Sequence, residues 1–567
     1  MHLFKKARKM NLLATSCLSC ALVFGLTHTA TAQTSAEQIW EEASSLFLPN
    51  YLSKLDSSEV PSVDRALGTI HSFEREDQAD GSVIIRALEL EVKMGRGKAV
   101  MLIDEITIAQ NEQGDVSIQL PTQFLISHHE RASARQPDLY SVFSSGLMLT
   151  VEDFDAYPTY RLTADSASID GPGHDELASL GLSFRDLDIS YTISAPIDIA
   201  GAQDDTLKLA QHVIELSAGA VNADFDISGR DHQFVVGSVN LDNLSFSANL
   251  GTFDVRQEEI VVSGALLPLQ LMTLQLSNSQ GMRDQISSGF LDFTTELRAH
   301  RLSYDIEMNN SDNGYARSSF ESIHPGFEFS ADRDRLTVSY SLQGARSRQG
   351  EPLQHMGRGP FPYQSQLDRL SVFLSIPFGR TEEPEPFEMR FILNELELDE
   401  NGWAVFDPSG AWERGPINAY ARLEGTAELL VDMFGRNNFQ WIASLDPRAI
   451  RLHSIRSAAA LPGLPDILLS GPGTALEAEV DLTFDPSDTN TAAGFPQPSG
   501  EIVFELMGLN SLLDNLVGSG LMEDRDMTIL RGMIESVVPL AEDDILRKTA
   551  IFDENGGFSI ADTVAEE

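Results

Sequence analysis

The sequence predicts a mainly β protein whose strands form a long, curved or twisted antiparallel sheet or a β-sandwich. From Ser82 onward apolar and polar residues alternate, as in Ile189, Tyr191 and Ile193, which are separated by polar residues. Such alternation is typical of antiparallel strands with one buried face. Helical patterns interrupt it near the N-terminus, in mid-chain and near the C-terminus, where we expect short helices that cap the sheet.

The first 32 residues predict a signal peptide and therefore export. The basic stretch Lys5–Lys9 precedes the apolar run Met10–Leu26, and Ala30-Thr31-Ala32 forms a small–x–small cleavage signal before Gln33. The apolar run has only the minimum length for a membrane span. We therefore expect cleavage after Ala32 and a periplasmic mature chain with no transmembrane helix.

Composition narrows the chemistry of the mature chain. Both cysteines, Cys17 and Cys20, lie in the signal segment, so we expect no disulfide and no thiolate site after Ala32. Beyond Ala32, 36 Lys and Arg stand against 85 Asp and Glu, and the net charge changes from −45 to −49. Such a surface repels phosphate backbones, which excludes nucleic acid as a partner. We expect the acidity to serve solubility; recruitment of a basic partner or of divalent cations is the alternative.

The first helix of the mature chain is predicted to begin at Thr34 or Ser35, whose hydroxyl caps it, and to end at Pro49. Its apolar stripe consists of Ile39, Trp40, Ala43, Leu46 and Phe47. This stripe predicts a helix that closes one end of a β core. The predicted strands include Val83–Val92, Val100–Ala109, Phe327–Leu342, Leu367–Ile376, Phe387–Leu398 and Ile417–Val431.

A loose repeat occurs in several predicted strands. It reads Phe184-Arg-Asp-Leu-Asp-Ile-Ser-Tyr191, then Leu241-Asp-Asn-Leu-Ser-Phe-Ser247, then Leu367-Asp-Arg-Leu-Ser-Val-Phe373. The spacing of the copies is irregular, which does not fit a fixed-period solenoid. We interpret each copy as a polar kink or bulge that leads into a strand of one growing sheet.

Two further features divide the chain. A helix is predicted in mid-chain, over Leu266–Gln280 and Met282–Ser288. Gly, Pro and charged residues predict a loop over 343–366, and we place there the boundary between an N-terminal β-rich half, 33–342, and a C-terminal β-rich half, 367–567.

The last hundred residues have the most regular pattern. A strand over Leu476–Leu482 and a second over Glu501–Leu506 are followed by two helical stretches, Ser511–Leu521 and Asp526–Val538, and a final strand after Arg547. We predict that this helix pair, 511–538, covers an open end of the sheet because sheet edges and ends need protection. Its apolar residues are Leu512, Leu513, Leu516, Ile529, Met533 and Ile534.

A search for catalytic motifs finds no nucleophile elbow, P-loop, dinucleotide-binding glycine turn, zinc-protease motif or EF-hand loop. His128 and His129 are adjacent, so on a strand their rings point to opposite faces and cannot share a metal. Glu307–Gly314 and the segment with Asp485, Asp488 and Asn490 resemble calcium loops in composition, but we expect hairpin turns there. We therefore assign no catalytic residue, no metal ligand and no cofactor.

Two of the four tryptophans lie in one short segment, Trp403–Trp412. Its Asp407-Pro408-Ser409-Gly410 stretch is a turn signal, and we expect the flanking aromatic rings to pack over that turn. An exposed aromatic binding edge is the alternative.

Four patches carry a family resemblance: Ser35-Ala-Glu-Gln-Ile-Trp40 behind the signal, Trp403–Gly410, Phe495–Gly500, and Gly508–Val517 with Gly520-Leu-Met. With them the chain resembles the bacterial domain-of-unknown-function family 2125, exported proteins of alphaproteobacteria. That family has no established catalytic residues, so the resemblance implies none here. Its members are distantly similar to AsmA-like envelope proteins, which implies a long curved sheet with an apolar concave face. This chain departs from AsmA-like proteins in lacking their common transmembrane anchor.

These observations lead to one expectation and two alternatives. We expect an exported, soluble, non-enzymatic protein of the cell envelope that binds a lipid or another envelope component through a curved sheet. A hydrolase with a site assembled from dispersed acidic residues is one alternative. A structural or protein-interaction module is the other.

Overall fold

A computed structural model describes the chain over residues 36–45, 68–94, 97–111, 115–129, 138–152, 159–172, 177–193, 197–198, 208–228, 234–254, 291–310, 314–331, 335–350, 363–407, 409–431, 449–485, 497–519, 522, 524–537, 544–553 and 557–562. The chain forms two compact units, Met1–Leu297 and Arg298–Glu567. We call them the N-terminal and the C-terminal unit. The segment for which the sequence predicts a loop and a boundary, 343–366, lies within the C-terminal unit.

The described secondary structure is mainly β, as the sequence predicts, with short helices. The helices are α1 Ala36–Ser45, α2 Glu400–Phe406, α3 Leu509–Gly518 and α4 Asp524–Val537. None of these described helices is long and apolar enough to cross a membrane. The predicted mid-chain helix, 266–288, lies outside the described residues.

The strands up to the division between the units are β1 Gly68–Asp77, β2 Val83–Met94, β3 Gly97–Gln110, β4 Val116–Gln119, β5 Gln123–His129, β6 Asp138–Ser145, β7 Met148–Glu152, β8 Thr159–Pro172, β9 Leu177–Ile193, β10 Ile197–Asp198, β11 Lys208–Ser228, β12 Phe234–Asp254 and β13 Leu291–Arg298. Strands β1 to β12 form an antiparallel meander. β1, β2 and β3 pair in order, and β4 and β5 lie end to end beside β3. β7 and β6 form the next row, and β8, β9 with β10, β11 and β12 follow.

The apolar face of this N-terminal sheet is buried. Alternate side chains of its strands form one core, and Ile85, Ile108 and Val151 are 0% exposed. The helix α1 covers part of this face, where the Trp40 and Phe73 rings pack edge to face with centroids 5.1 Å apart. The prediction of an N-terminal helix closing a β core is therefore confirmed for 36–45.

The C-terminal unit is a second antiparallel meander. Its strands are β14 Arg301–Asn310, β15 Gly314–Ala331, β16 Arg335–Gln349, β17 Tyr363–Pro377, β18 Glu385–Leu398, β19 Ile417–Leu429, β20 Ile450–Ser457, β21 Ile467–Gly471, β22 Thr474–Asp485, β23 Gln497–Met507, β24 Ile545–Phe552 and β25 Phe558–Asp562. β14 to β19 pair in order, and β20 and β21 both lie between β19 and β22. β23, β24 and β25 complete the row. The single strand predicted over Phe327–Leu342 is wrong: this stretch contains the paired ends of β15 and β16, and the two strands have the same alternation.

In both units, some neighbouring strands each contain one unpaired residue, and the two unpaired residues lie side by side. Ala87 of β2 has a positive φ of 47° and, with Asp104 of β3, is left out of the β2–β3 pairing. The insertion changes the spacing of buried side chains from two to three, so Ile85 and Leu88 are both buried on one face. Each such bulge therefore shifts the alternation in the sequence without moving the core to the other face.

The sequence repeat marks these bulges. Asp186, in the copy Phe184–Tyr191, and Asn243, in the copy Leu241–Ser247, have φ values of 50° and 48° and interrupt the pairing of their strands. Asp and Asn tolerate this left-handed conformation better than most residues. In the third copy Asp368 is skipped where β17 passes Gly344, whose φ is 52°. The interpretation of each copy as a kink or bulge in a strand is confirmed.

Candidate functional site

One face of the C-terminal sheet is apolar across many strands. Residues directly opposite each other in antiparallel strands point to the same face. Phe327 of β15 lies opposite Tyr340, Tyr340 opposite Val372, Val372 opposite Phe391, and Phe391 opposite Ala421 of β19. One row of apolar side chains thus crosses β15 to β19, perpendicular to the strands.

Neighbouring rows on the same face are also apolar. Phe329 lies opposite Val338, then Leu374, Met389 and Leu423 follow in register. We call the following set the open face: Phe327, Phe329, Val338, Tyr340, Leu370, Val372, Leu374, Met389, Phe391 and Leu393. None of its members carries a charge.

The centre of this face is exposed to solvent, although its chemistry is that of a core. Phe327 and Phe391 are 39% exposed, Tyr340 and Val372 37%, and Met389 48%. Single exposed apolar residues are ordinary, but contiguous apolar patches on soluble proteins mark binding surfaces. The row is therefore a candidate binding surface.

Small side chains continue the face on β19. Ala419 and Ala421 point to this face, because they lie opposite Leu393 and Phe391. On the far side of β19, Leu469 of β21 lies opposite Ala419 and is exposed. The small side chains of Ala419 and Ala421 on β19 therefore lie between the large side chains of β18 and Leu469 of β21.

The C-terminal end of the same face is covered by the helix pair. Leu509 and Leu513 of α3 and Met527 of α4 are buried against Leu546 of β24, with Phe504 of β23 packed beside them. The prediction that this helix pair covers an end of the sheet is confirmed. Leu513 and Leu516 belong to that contact, whereas Ile529 is 53% exposed on the outer side of α4, contrary to the prediction. The side chains of Met533 and Ile534 lie outside the described residues.

The opposite face of the sheet is mixed: Ile392 and Tyr420 lie opposite each other on it and are buried in a small apolar cluster with Ala460, and ion pairs lie beside them. Arg422 pairs with Glu388 at 3.0 Å and with Glu424 at 2.6 Å, and Arg456 pairs with Glu424 at 3.0 Å. Arg335 donates to the Ser375 hydroxyl at 2.8 Å. All the charged side chains of these pairs lie on this face, and the uncharged face is the one left open between β15 and β18.

Tyr340 carries the open face's one side-chain oxygen or nitrogen atom. Burial raises the pKa of its hydroxyl above the ordinary value, so the group stays protonated at neutral pH. None of the hydrogen bonds found among the described residues involves this hydroxyl. It is therefore an available donor in the middle of an apolar row.

The segment Trp403–Trp412 forms a buried corner. Trp403 lies in α2, whose start is capped by Asp399, which accepts from the Gly402 N–H at 2.7 Å. Asp407 is 1% exposed and accepts from the Trp412 N–H at 2.8 Å and from Arg414 Nη1 at 2.9 Å. Trp403 is buried, with the Arg414 guanidinium over its ring, so this side chain is packed and does not form an exposed binding edge.

The Asp407 carboxylate is held in its charged form. Burial raises the pKa of Asp407, but hydrogen bonds from the Trp412 N–H, Arg414, the Ser409 hydroxyl and the Ala411 N–H together hold that pKa well below its usual range. This arrangement is structural: a charged group anchors a turn beside α2.

The other candidates from the sequence do not assemble into a site. His128 and His129 lie in β5, opposite Ala99 and Lys98. Asn310 pairs with Gly314, and Asp485 with Gln497, so strands pair on both sides of each calcium-like segment, as hairpins require. Among the described residues no group of three or more His, Asp or Glu side chains could hold a metal ion.

The open face itself was not identifiable as a site from the sequence. Its strands show ordinary alternation, which equally describes a face that is covered. The register that aligns Phe327, Tyr340, Val372 and Phe391 is the signal, and register is a property of the folded sheet. No protein-family model matches the chain, and neither a curated protein nor a solved structure matches it. The resemblance to family 2125 and to AsmA-like proteins therefore stays a prediction.

Proposed function

We propose that the chain is an exported, non-enzymatic envelope protein whose open face binds the hydrocarbon chain of a lipid. One observation carries the proposal: the row Phe327–Tyr340–Val372–Phe391 is aligned across adjacent strands and is more than a third exposed. Covering it with hydrocarbon removes apolar surface from water, at roughly 25 cal/mol per Å².

The dimensions of the face suit an extended chain. Strands lie about 4.8 Å apart, so the row spans about 14 Å from Phe327 to Phe391 and about 19 Å to Ala421. Half the hydrocarbon thickness of a bilayer, which one acyl chain spans, is about 15 Å. An acyl chain laid across the strands would therefore contact one side chain from each.

The chemistry of the face favours a lipid over a protein. Protein interfaces contain about one hydrogen bond per 100–200 Å² and a polar rim. The open face offers one hydroxyl, that of Tyr340, because the charged side chains next to the row, Glu388, Arg390 and Arg422, point to the other side of the sheet. A hydrocarbon chain needs no hydrogen bonds and covers such a face without desolvating a charge.

The location and the lack of an enzymatic role are part of the proposal. The predicted signal peptide, 1–32, supports a periplasmic mature chain, where lipids of both envelope membranes are at hand. No specific observation among the described residues favours the two alternatives, a hydrolase or a protein-interaction module.

Native mass spectrometry with lipid extraction tests the proposal on protein purified from its host. We expect co-purifying lipid with the wild type and about tenfold less with Val372→Asn, because the buried amide would lack a partner beneath a hydrocarbon chain. The matched control is Ile551→Asn, since Ile551 is 39% exposed but lies on the polar side of β24.

The results of this experiment distinguish a lipid from a protein as the molecule bound to the open face. Lipid that is reduced by Val372→Asn and retained by Ile551→Asn supports the proposal. Absence of lipid from the wild type, or a bound protein in its place, contradicts it.

A further inference from the structure

We infer that Tyr340 is the specificity-determining residue of the open face and that it selects lipids with a hydrogen-bond acceptor beside the hydrocarbon chain, such as an ester carbonyl. This inference rests on the proposed function. It adds what the apolar surface by itself does not give, a chemical distinction between an ester lipid and a plain hydrocarbon.

Tyr340 occupies the centre of the exposed row. It lies in β16 between Phe327 and Val372, with Val338 and Leu342 as its neighbours along the same side of the strand. Ligand sites are mostly apolar with few placed polar groups that fix orientation. Here that role falls to one hydroxyl.

The hydroxyl of Tyr340 depends on water for its hydrogen bond. Water satisfies it while the face is open, since Tyr340 is 37% exposed and has no partner among the described residues. A ligand that covers the row removes this water, and a buried tyrosine hydroxyl without a partner is unfavourable. The ligand must therefore supply an acceptor at that point.

The Ser457 hydroxyl, on the same side of the sheet, differs from that of Tyr340 because it has hydrogen-bond partners within the protein. Ser457 lies opposite Leu423. Its hydroxyl donates to Asp466 at 2.8 Å and accepts from the Val480 N–H at 2.8 Å. The fold thus satisfies Ser457 internally, whereas Tyr340 is left for the ligand.

Tyr340→Phe tests the inference because it removes the oxygen and keeps the ring. Three fluorescent probes are titrated into the full chain: cis-parinaric acid methyl ester, cis-parinaric acid, and diphenylhexatriene, which has no polar atom. We expect Tyr340→Phe to weaken binding of the ester about fivefold and to leave diphenylhexatriene unchanged. Comparing the loss of binding for the acid with that for the ester shows whether the hydroxyl prefers a carboxylate or a carbonyl. If Tyr340→Phe leaves the dissociation constants of both acid and ester unchanged, the inference is overturned.

The controls separate this inference from the proposed function. If the wild type binds none of the probes, the proposed function itself fails. If the wild type binds them and Tyr340→Phe weakens binding of ester and hydrocarbon equally, the hydroxyl does not act through an acceptor on the ligand, and the inference alone is overturned. Matching thermal unfolding of the two proteins verifies that the variant is folded.

Discussion

Both units consist of an antiparallel sheet with an apolar face, but that face is buried in the N-terminal unit and partly exposed in the C-terminal unit. Both are antiparallel meanders in which alternation places apolar side chains on one face. In the N-terminal unit that face is a sealed core, with Ile85 and Val151 0% exposed, whereas Val372 in the C-terminal unit is 37% exposed. Alternation thus determines that a sheet is amphipathic. It does not determine whether the apolar face is covered.

The largest difference between the units is expected when a charge is placed on each apolar face. Ile108→Asp puts an unpaired carboxylate into the N-terminal core and should destabilise that unit by more than about 4 kcal/mol. Val372→Asp should cost about 1 kcal/mol or less, because its carboxylate stays hydrated on the open face. Urea unfolding followed by circular dichroism measures both.

Equal losses of stability in the two variants would contradict the contrast between the faces. A large loss for Val372→Asp would mean that the open face is covered in solution. The same experiment with Ile551→Asp, on the polar side of β24, gives the baseline for an exposed apolar residue.

A smaller loss of stability is expected from a substitution in the buried corner, Trp403–Trp412, of the C-terminal unit. Asp407→Asn removes the charge that faces Arg414 and should destabilise by about 3 kcal/mol at neutral pH. The folded-state pKa of Asp407 is depressed, so its stabilisation is present above the unfolded value of about 3.9 and is lost as pH falls toward the folded value.

The difference in unfolding free energy between wild type and Asp407→Asn should therefore shrink below about pH 4. Urea unfolding at a series of pH values measures it. A difference that stays constant down to about pH 2 would mean that the charge of Asp407 contributes nothing, and that only its shape matters.

Much of the fold was predictable from local signals. Alternation located the strands, the Asp186 and Asn243 repeats located the bulges, and the C-terminal helix pair followed from its apolar spacing. The helix α2 was missed because it is seven residues long and contains Gly402, and its start depends on the Asp399 cap. Likewise, Asp407 showed only a turn signal, because nothing in the sequence pattern indicates that it pairs with Arg414, seven residues further along the chain.

The site was less predictable than the fold, for a physical reason. Tyr340 and Phe391 are far apart in the sequence, and only the pairing of β16, β17 and β18 aligns them. Exposure then depends on whether another element covers the row. Neither property is encoded in a single stretch of sequence.

The most direct test of the central claim is the oxidation of methionine in the two units. Met389 on the open face is 48% exposed, and Met101 in the N-terminal core is 1% exposed. In lipid-free protein treated with peroxide, mass spectrometry should show rapid sulfoxide formation at Met389 and little at Met101. Adding phospholipid vesicles should slow oxidation of Met389 severalfold and leave Met101 unchanged. Oxidation of Met389 at the same rate with and without lipid would contradict the account.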